Sequence, residues 1–230
     1  MEEINGARDP NAIFNSIVEI VQSVIRDPAS FYRQMQRSGG FADPFVFAVA
    51  MGVAAGVVRA VLNLLVFGFA HFFTMVMIML IITPILTGLF TFVSAAILFV
   101  IWRLLGSQQS YEVSFRCAAY ALAIIPITAA LYFIPYLGVV AGLAWTTYIL
   151  VCASVEVHGT ELKIAWIVFG VIFAILAIGS VSIQHSARSF RHKLENMGKG
   201  LGDIEKMPPE QAGQALGEFL KGMQKGIEKK

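Results

Sequence analysis

The sequence predicts an all-α polytopic membrane protein: a bundle of five transmembrane helices with amphipathic flanking helices at both ends. Three observations predict it. Between Pro44 and Trp102 the only strongly polar side chains are Arg59, Asn63 and His71. As a single helix that stretch would reach roughly 90 Å, against a bilayer core of about 30 Å, so it must cross, turn and cross again. Three more apolar runs follow, and the composition is 57% hydrophobic and 14% charged, where soluble domains carry roughly 25% charge.

With 230 residues there is room for one compact bundle and short flanks. No positively charged leader with a cleavage site precedes the polar start, so the first span is expected to be retained. Cys117 and Cys152 both lie in apolar surroundings and form neither a disulfide framework nor a CxxC motif. No metal and no cofactor is expected.

The N-terminal flank, residues 1–43, holds Asp9-Pro10, Asp27-Pro28 and Asp43-Pro44. An Asp carboxylate accepts from the free amides of a first turn and Pro fits the first helical position, so each pair predicts a helix start. After the first, Ile13, Phe14, Ile17, Val18, Val21, Val24 and Ile25 share one face, and Asn15, Ser16, Glu19, Gln22, Ser23 and Arg26 the other. That is the period of an amphipathic helix. It either packs on its own bundle or lies on the membrane or a partner. A second short helix, near residues 28–37, ends at Gly39-Gly40.

The membrane domain, residues 44–184, has spans at about 45–69, 74–102, 114–133, 136–155 and 162–183. On span one, Ala48, Gly52, Gly56 and Ala60 form a small-residue stripe; Gly138 and Gly142 form another pair on span four. Such stripes let backbones approach closely in lipid. The partner is another span or a second protomer, which leaves homo-oligomerisation open. Span two is long and carries Pro84, which disrupts the bond to the Leu80 carbonyl. A turn near Gly68–His71 would place Arg59 level with Thr83 and Pro84. Arg59 then donates to carbonyls loosened by Pro84, or else snorkels to the far interface. Asn63, one turn on, completes a polar intramembrane group.

Span three contains Pro126, and Ile134–Gly138 reads as a tight turn into span four. Folding back about residue 135 brings residues whose numbers sum to about 270 to equal depth. That places Cys117 near Cys152, and Glu112 and Arg116 near Glu156 and His158, a boundary charge cluster to which Tyr120 is also assigned. The cluster is a clasp between spans three and four, or a site for a lipid headgroup or a partner.

From Gln184 the chain is polar and basic, and Pro208-Pro209 is expected to open a last amphipathic helix in the tail, residues 185–230. Five spans put the termini on opposite sides. Lys and Arg in the N-terminal flank and its turns place the N-terminus in the cytoplasm, although the basic tail then lies outside.

These residues resemble the Yip (Ypt-interacting protein) family of five-span membrane proteins, and its prokaryotic branch most closely. The resemblance covers about residues 27–184. It rests on Asp27-Pro28 with Phe31, Gly39-Gly40-Phe41, Asp43-Pro44, Tyr111-Glu112, Phe115-Arg116, Tyr120, Pro126, Pro135 with Gly138, Trp145, and Glu156-Val157-His158-Gly159. It implies a cytosolic N-terminus, the cytoplasmic membrane if prokaryotic, and a membrane adaptor without known catalysis. The long basic tail departs from the pattern.

The expected function is thus a non-enzymatic membrane scaffold or adaptor that organises protein partners or lipid. The alternative is a transporter, channel or lipid-handling protein with a polar cavity around Arg59 and Asn63. Neither HExxH, GxSxG nor a phosphate loop is present. Membrane lipids and a membrane or peripheral protein are the expected partners. Nucleic acid is not, because the basic tail lacks interleaved aromatics.

Overall fold

A computed structural model describes residues 10–67, 76–132, 134, 136–205 and 213. It is all-helical among those residues, with five helices long and apolar enough to cross a membrane: Ala42–Leu65, Met79–Leu104, Tyr111–Leu131, Leu137–Glu156 and Leu162–Phe190. Within a bilayer every peptide group must find its hydrogen bond inside the protein, and a helix does this within one segment. The outward faces confirm the solvent: Leu65, Ile85, Leu89, Ile97, Ile175 and Ile178 are all exposed, far more apolar surface than a water-soluble monomer tolerates.

Two short helices precede the spans: α1 (Pro10–Arg26) and α2 (Pro28–Gln34). The Asp27 side chain accepts from Ser30 N at 3.0 Å and caps α2 as its Asp-Pro pair predicts. Span one, α3 (Ala42–Phe67), starts before Asp43, which sits inside the first turn instead of capping it. Asp9 lies outside the described residues. The apolar face of α1 is occupied by the protein itself: Val24 is fully buried, with Ile17, Ile20, Val21 and Ile25 packed on the core. Phe14, expected on that face, is exposed.

Span two joins a π-helical turn, Ile78–Ile82, to α4 (Thr83–Leu104). The wide turn lies directly ahead of Pro84. Proline removes a donor and crowds the preceding turn, and the extra residue per turn absorbs that mismatch. Span three is likewise interrupted: α5 (Tyr111–Ala121) passes through a 3-10 turn, Leu122–Ile124, into α6 (Ile125–Leu131), with Pro126 in the first turn of α6. Span four is α7 (Leu137–Glu156) and span five begins α8 (Leu162–Glu205). Span three is the hub, since 72% of its most apolar stretch is buried against 11% for span five.

The small-residue stripe on span one packs inside the chain. A Cβ at Gly52 would lie 2.8 Å from Pro84 Cα, and one at Gly56 only 2.5 Å from the Met79 carbonyl oxygen. Ala48 and Ala60, on the same stripe, are buried. Gly138 lies against the Leu131 carbonyl and Gly142 against Thr128, so spans three and four follow the expected register.

By compactness the chain divides into Met1–Ile178 and Gly179–Lys230. The first unit holds the bundle. In the second, helix α8 continues to Glu205, well past Ile183 where the apolar run stops. No proline intervenes before Pro208, so loss of hydropathy does not end the helix. The helix expected after Pro208-Pro209, like the Gly68–His71 turn, lies outside the described residues.

Gly56→Ala is expected to destabilise the detergent-solubilised protein by about 1–3 kcal/mol, through overpacking against Met79. Gly170→Ala meets open space and should leave the melting temperature unchanged or slightly raised. Equal melting temperatures for the two variants would contradict the close α3–span two contact.

Candidate functional site

The functional geometry collects where spans one, three and five begin and spans two and four end. Its centre is Arg116, on the second turn of α5 and only 2% exposed. Its Nη2 donates to the Gly40 carbonyl at 3.0 Å and its Nη1 to the Gln36 carbonyl at 3.4 Å. Glu112 Oε1 lies 3.5 Å from Arg116 Nε and accepts from Gly40 N at 2.7 Å. The Nε itself makes no hydrogen bond among the described residues. The linker wraps this closely because Gly39 and Gly40 take φ +118° and +79°, a region open chiefly to glycine.

Glu156 does not join that group. Arg33 of α2 reaches it first, with Nε and Nη2 each 2.8 Å from a carboxylate oxygen. Arg37 Nη2 donates to the Glu156 carbonyl at 3.4 Å. The expected four-residue charge cluster is therefore divided. Helix α2 lies across the ends of α5 and α7, with buried Tyr32 donating to the Cys117 carbonyl at 3.1 Å. The charges clasp the N-terminal flank to spans three and four, where the sequence suggested a clasp between the two spans themselves.

His158 forms a third group. Its ring stacks on Trp102, with centroids 3.8 Å apart and planes at 15°. Ser107 Oγ lies 2.8 Å from its Nδ1 and Cys117 Sγ 3.9 Å from its Nε2, while Trp102 Nε1 donates to Ser154 Oγ at 2.8 Å. Burial, and secondarily Arg37, push the imidazole down to about 4. Cys117 and Cys152 are both buried free thiols.

The polar intramembrane group is dispersed. Pro84 faces Gly52 and Met79 faces Gly56, so Arg59, seven residues after Gly52, lies well beyond the level of Pro84. The expected bond from Arg59 to carbonyls loosened by Pro84 does not form, because that register carries Arg59 past them. Arg59 instead places its Cζ 5.9 Å from the ring centroid of Tyr132, at the far end of span three. Asn63 Nδ2 donates to the Arg59 carbonyl at 2.9 Å.

Beside Arg116, a cleft of about 540 Å³ opens between α1, α2, the start of α3 and α5. Arg26, Asp27, Phe31, Asp43, Arg116 and Tyr120 line it, and Phe31 and Tyr120 meet edge to face at 5.4 Å. Of these, only Arg116 and Tyr120 were assigned to a site from sequence. Arg26, Asp27 and Asp43 read there as helix-end residues, and only folding gathers them.

A family model for the Yip1 domain matches residues 23–183. The chain belongs to the Yip1-domain family. The matched region takes in α2, the glycine linker, Arg116, the first four spans and span five as far as residue 183. Yip1-domain proteins are in general non-enzymatic membrane trafficking proteins. No curated protein and no solved structure matches the chain.

Two outcomes follow from the site. Because folded His158 binds its proton only near pH 4, whereas an unfolded His does so near 6.5, its contribution is complete above pH 6.5 and lost as pH falls toward 4. The loss should approach about 3 kcal/mol. In His158→Gln, stability measured by chemical unfolding should fall more gently over that window; an unchanged slope would show that His158 is not the group responsible. Separately, Arg33→Glu should lower the melting temperature, and Arg33→Glu with Glu156→Arg should recover part of the loss. The coupling is small, since Arg33 is largely exposed.

Proposed function

We propose that this Yip1-domain protein is a non-enzymatic integral membrane scaffold or adaptor that organises protein partners or lipid, with its N-terminal side in the cytoplasm. One observation carries the reading: the N-terminal layer is built as a fixed platform. Its apolar face is buried on the bundle, and two charge groups anchored on different spans hold it in place. Its outer face stays exposed through Asn15, Glu19, Gln22 and Arg26 of α1 and Arg33 and Arg37 beyond it. A preorganised polar face loses little conformational freedom on binding. A transport path around Arg59 and Asn63 is the weaker reading, since both side chains are engaged with neighbouring protein groups.

Native mass spectrometry of the protein drawn gently from its own membranes tests this. A stoichiometric protein partner should be retained, and lost in Glu19→Lys with Gln22→Lys at unchanged melting temperature. Absence of any such partner, or its retention by the variant, would overturn the adaptor half of the proposal.

A further inference from the structure

The cleft beside Arg116 carries opposite charges on both of its walls. One wall is the α1–α2 junction, where Arg26 and Asp27 are adjacent and Ser23 and Ser30 stand one turn to either side. The other gathers Arg116, Asp43 and Tyr120. A simple anion entering here meets two carboxylates, and a simple cation meets two guanidiniums. A ligand that carries an anionic and a cationic group a few ångströms apart satisfies both signs. Charge complementarity therefore selects a zwitterion.

Position selects its source. Asp43 directly precedes Pro44 in the first turn of span one, and Arg116 and Tyr120 sit in the second and third turns of span three. The cleft thus opens where lipid headgroups lie. Its volume of about 540 Å³ is within the range of roughly 300–1,000 Å³ of small-molecule sites. Apolar Ile20, Phe31 and Met35 complete its lining beside the polar groups. At the floor, Arg116 is 2% exposed; its Nε lies 3.5 Å from Glu112 Oε1 and makes no hydrogen bond among the described residues.

We propose that this cleft binds the headgroup of a zwitterionic phospholipid with a primary ammonium, of the phosphoethanolamine class. Arg26, with the hydroxyl of Ser23, holds the phosphate over the Arg116 charge. Asp43 holds the ammonium by charge, beside the aromatic pair Phe31–Tyr120. The inference deepens the lipid side of the scaffold reading. Its test reads lipid alone, so it can fail while a protein partner is still found, and the reverse.

The experiment is native mass spectrometry of the full chain, delipidated in detergent. It is then offered equimolar phosphatidylethanolamine, phosphatidylcholine and phosphatidylglycerol, with soluble glycerophosphoethanolamine in a separate arm. One phosphatidylethanolamine should be retained in preference to the other two by about fivefold or more. Arg26→Ala should abolish that retention, and Asp43→Asn should move the preference toward phosphatidylglycerol. Arg103→Ala, outside the cleft, should change nothing. Arg26 is exposed on α1, so its variant keeps the test valid should Asp43→Asn fail to fold. Equal retention of the three lipids, or an Arg26→Ala protein with undiminished preference, would reduce the occupant to annular lipid and overturn the proposal. Binding of glycerophosphoethanolamine as tightly as the intact lipid would overturn the membrane as its source.

Discussion

A single buried guanidinium organises the N-terminal side of this protein. Arg116 cannot sit 2% exposed without partners, because an unpaired buried charge costs several kcal/mol. Glu112, one turn away, supplies one partner, and the Gln36 and Gly40 carbonyls supply the others. To bring those carbonyls inward the linker must bend around the guanidinium. A Cβ at Gly39 would already press to 3.0 Å of Arg116 Nη2. Once the linker is fixed, α2 is laid over α7, Arg33 meets Glu156, and the α1–α2 junction becomes a cleft wall. Platform, clasp and cleft are consequences of one desolvated charge.

In the apolar part of the bundle different forces act. Lipid tails offer no hydrophobic drive between helices, so spans associate through close packing and through satisfied backbone. Gly52 and Gly56 let span one rest against the span two backbone, and the π-turn ahead of Pro84 keeps that backbone helical where proline would otherwise break it. Thr87 and Thr91 each return a hydroxyl to the carbonyl four residues earlier, at 2.8 and 2.6 Å. The buried polar groups of spans two to four are similarly served by near neighbours. Trp102 with Ser154, and Ser107 with His158, close the boundary under the start of span five.

The sequence alone determined the class of fold, the number of spans, the Asp27 cap and the register of the hairpin formed by spans three and four. Each rests on a local or periodic property: hydropathy over some 20 residues, an Asp-Pro pair, or a tight turn whose residue numbers sum to a constant. It also singled out Arg116, Glu112, Glu156 and His158 as boundary residues. Their partners were another matter. The 270 rule correctly puts Glu156 at the depth of Arg116, yet equal depth does not decide contact when a third helix competes, and α2 brought Arg33 to Glu156 in geometry that uses both carboxylate oxygens. Arg59 failed for a similar reason. A small error in locating the turn between spans one and two slides every pairing along the helix, and the close approach at Gly52 and Gly56, which fixes that register, exists only once the two backbones meet. The tertiary structure alone decided what α1 covers, how the boundary charges divide, and that Arg26, Asp27 and Asp43 share a cleft, because these depend on segments far apart in sequence competing for the same few buried charges.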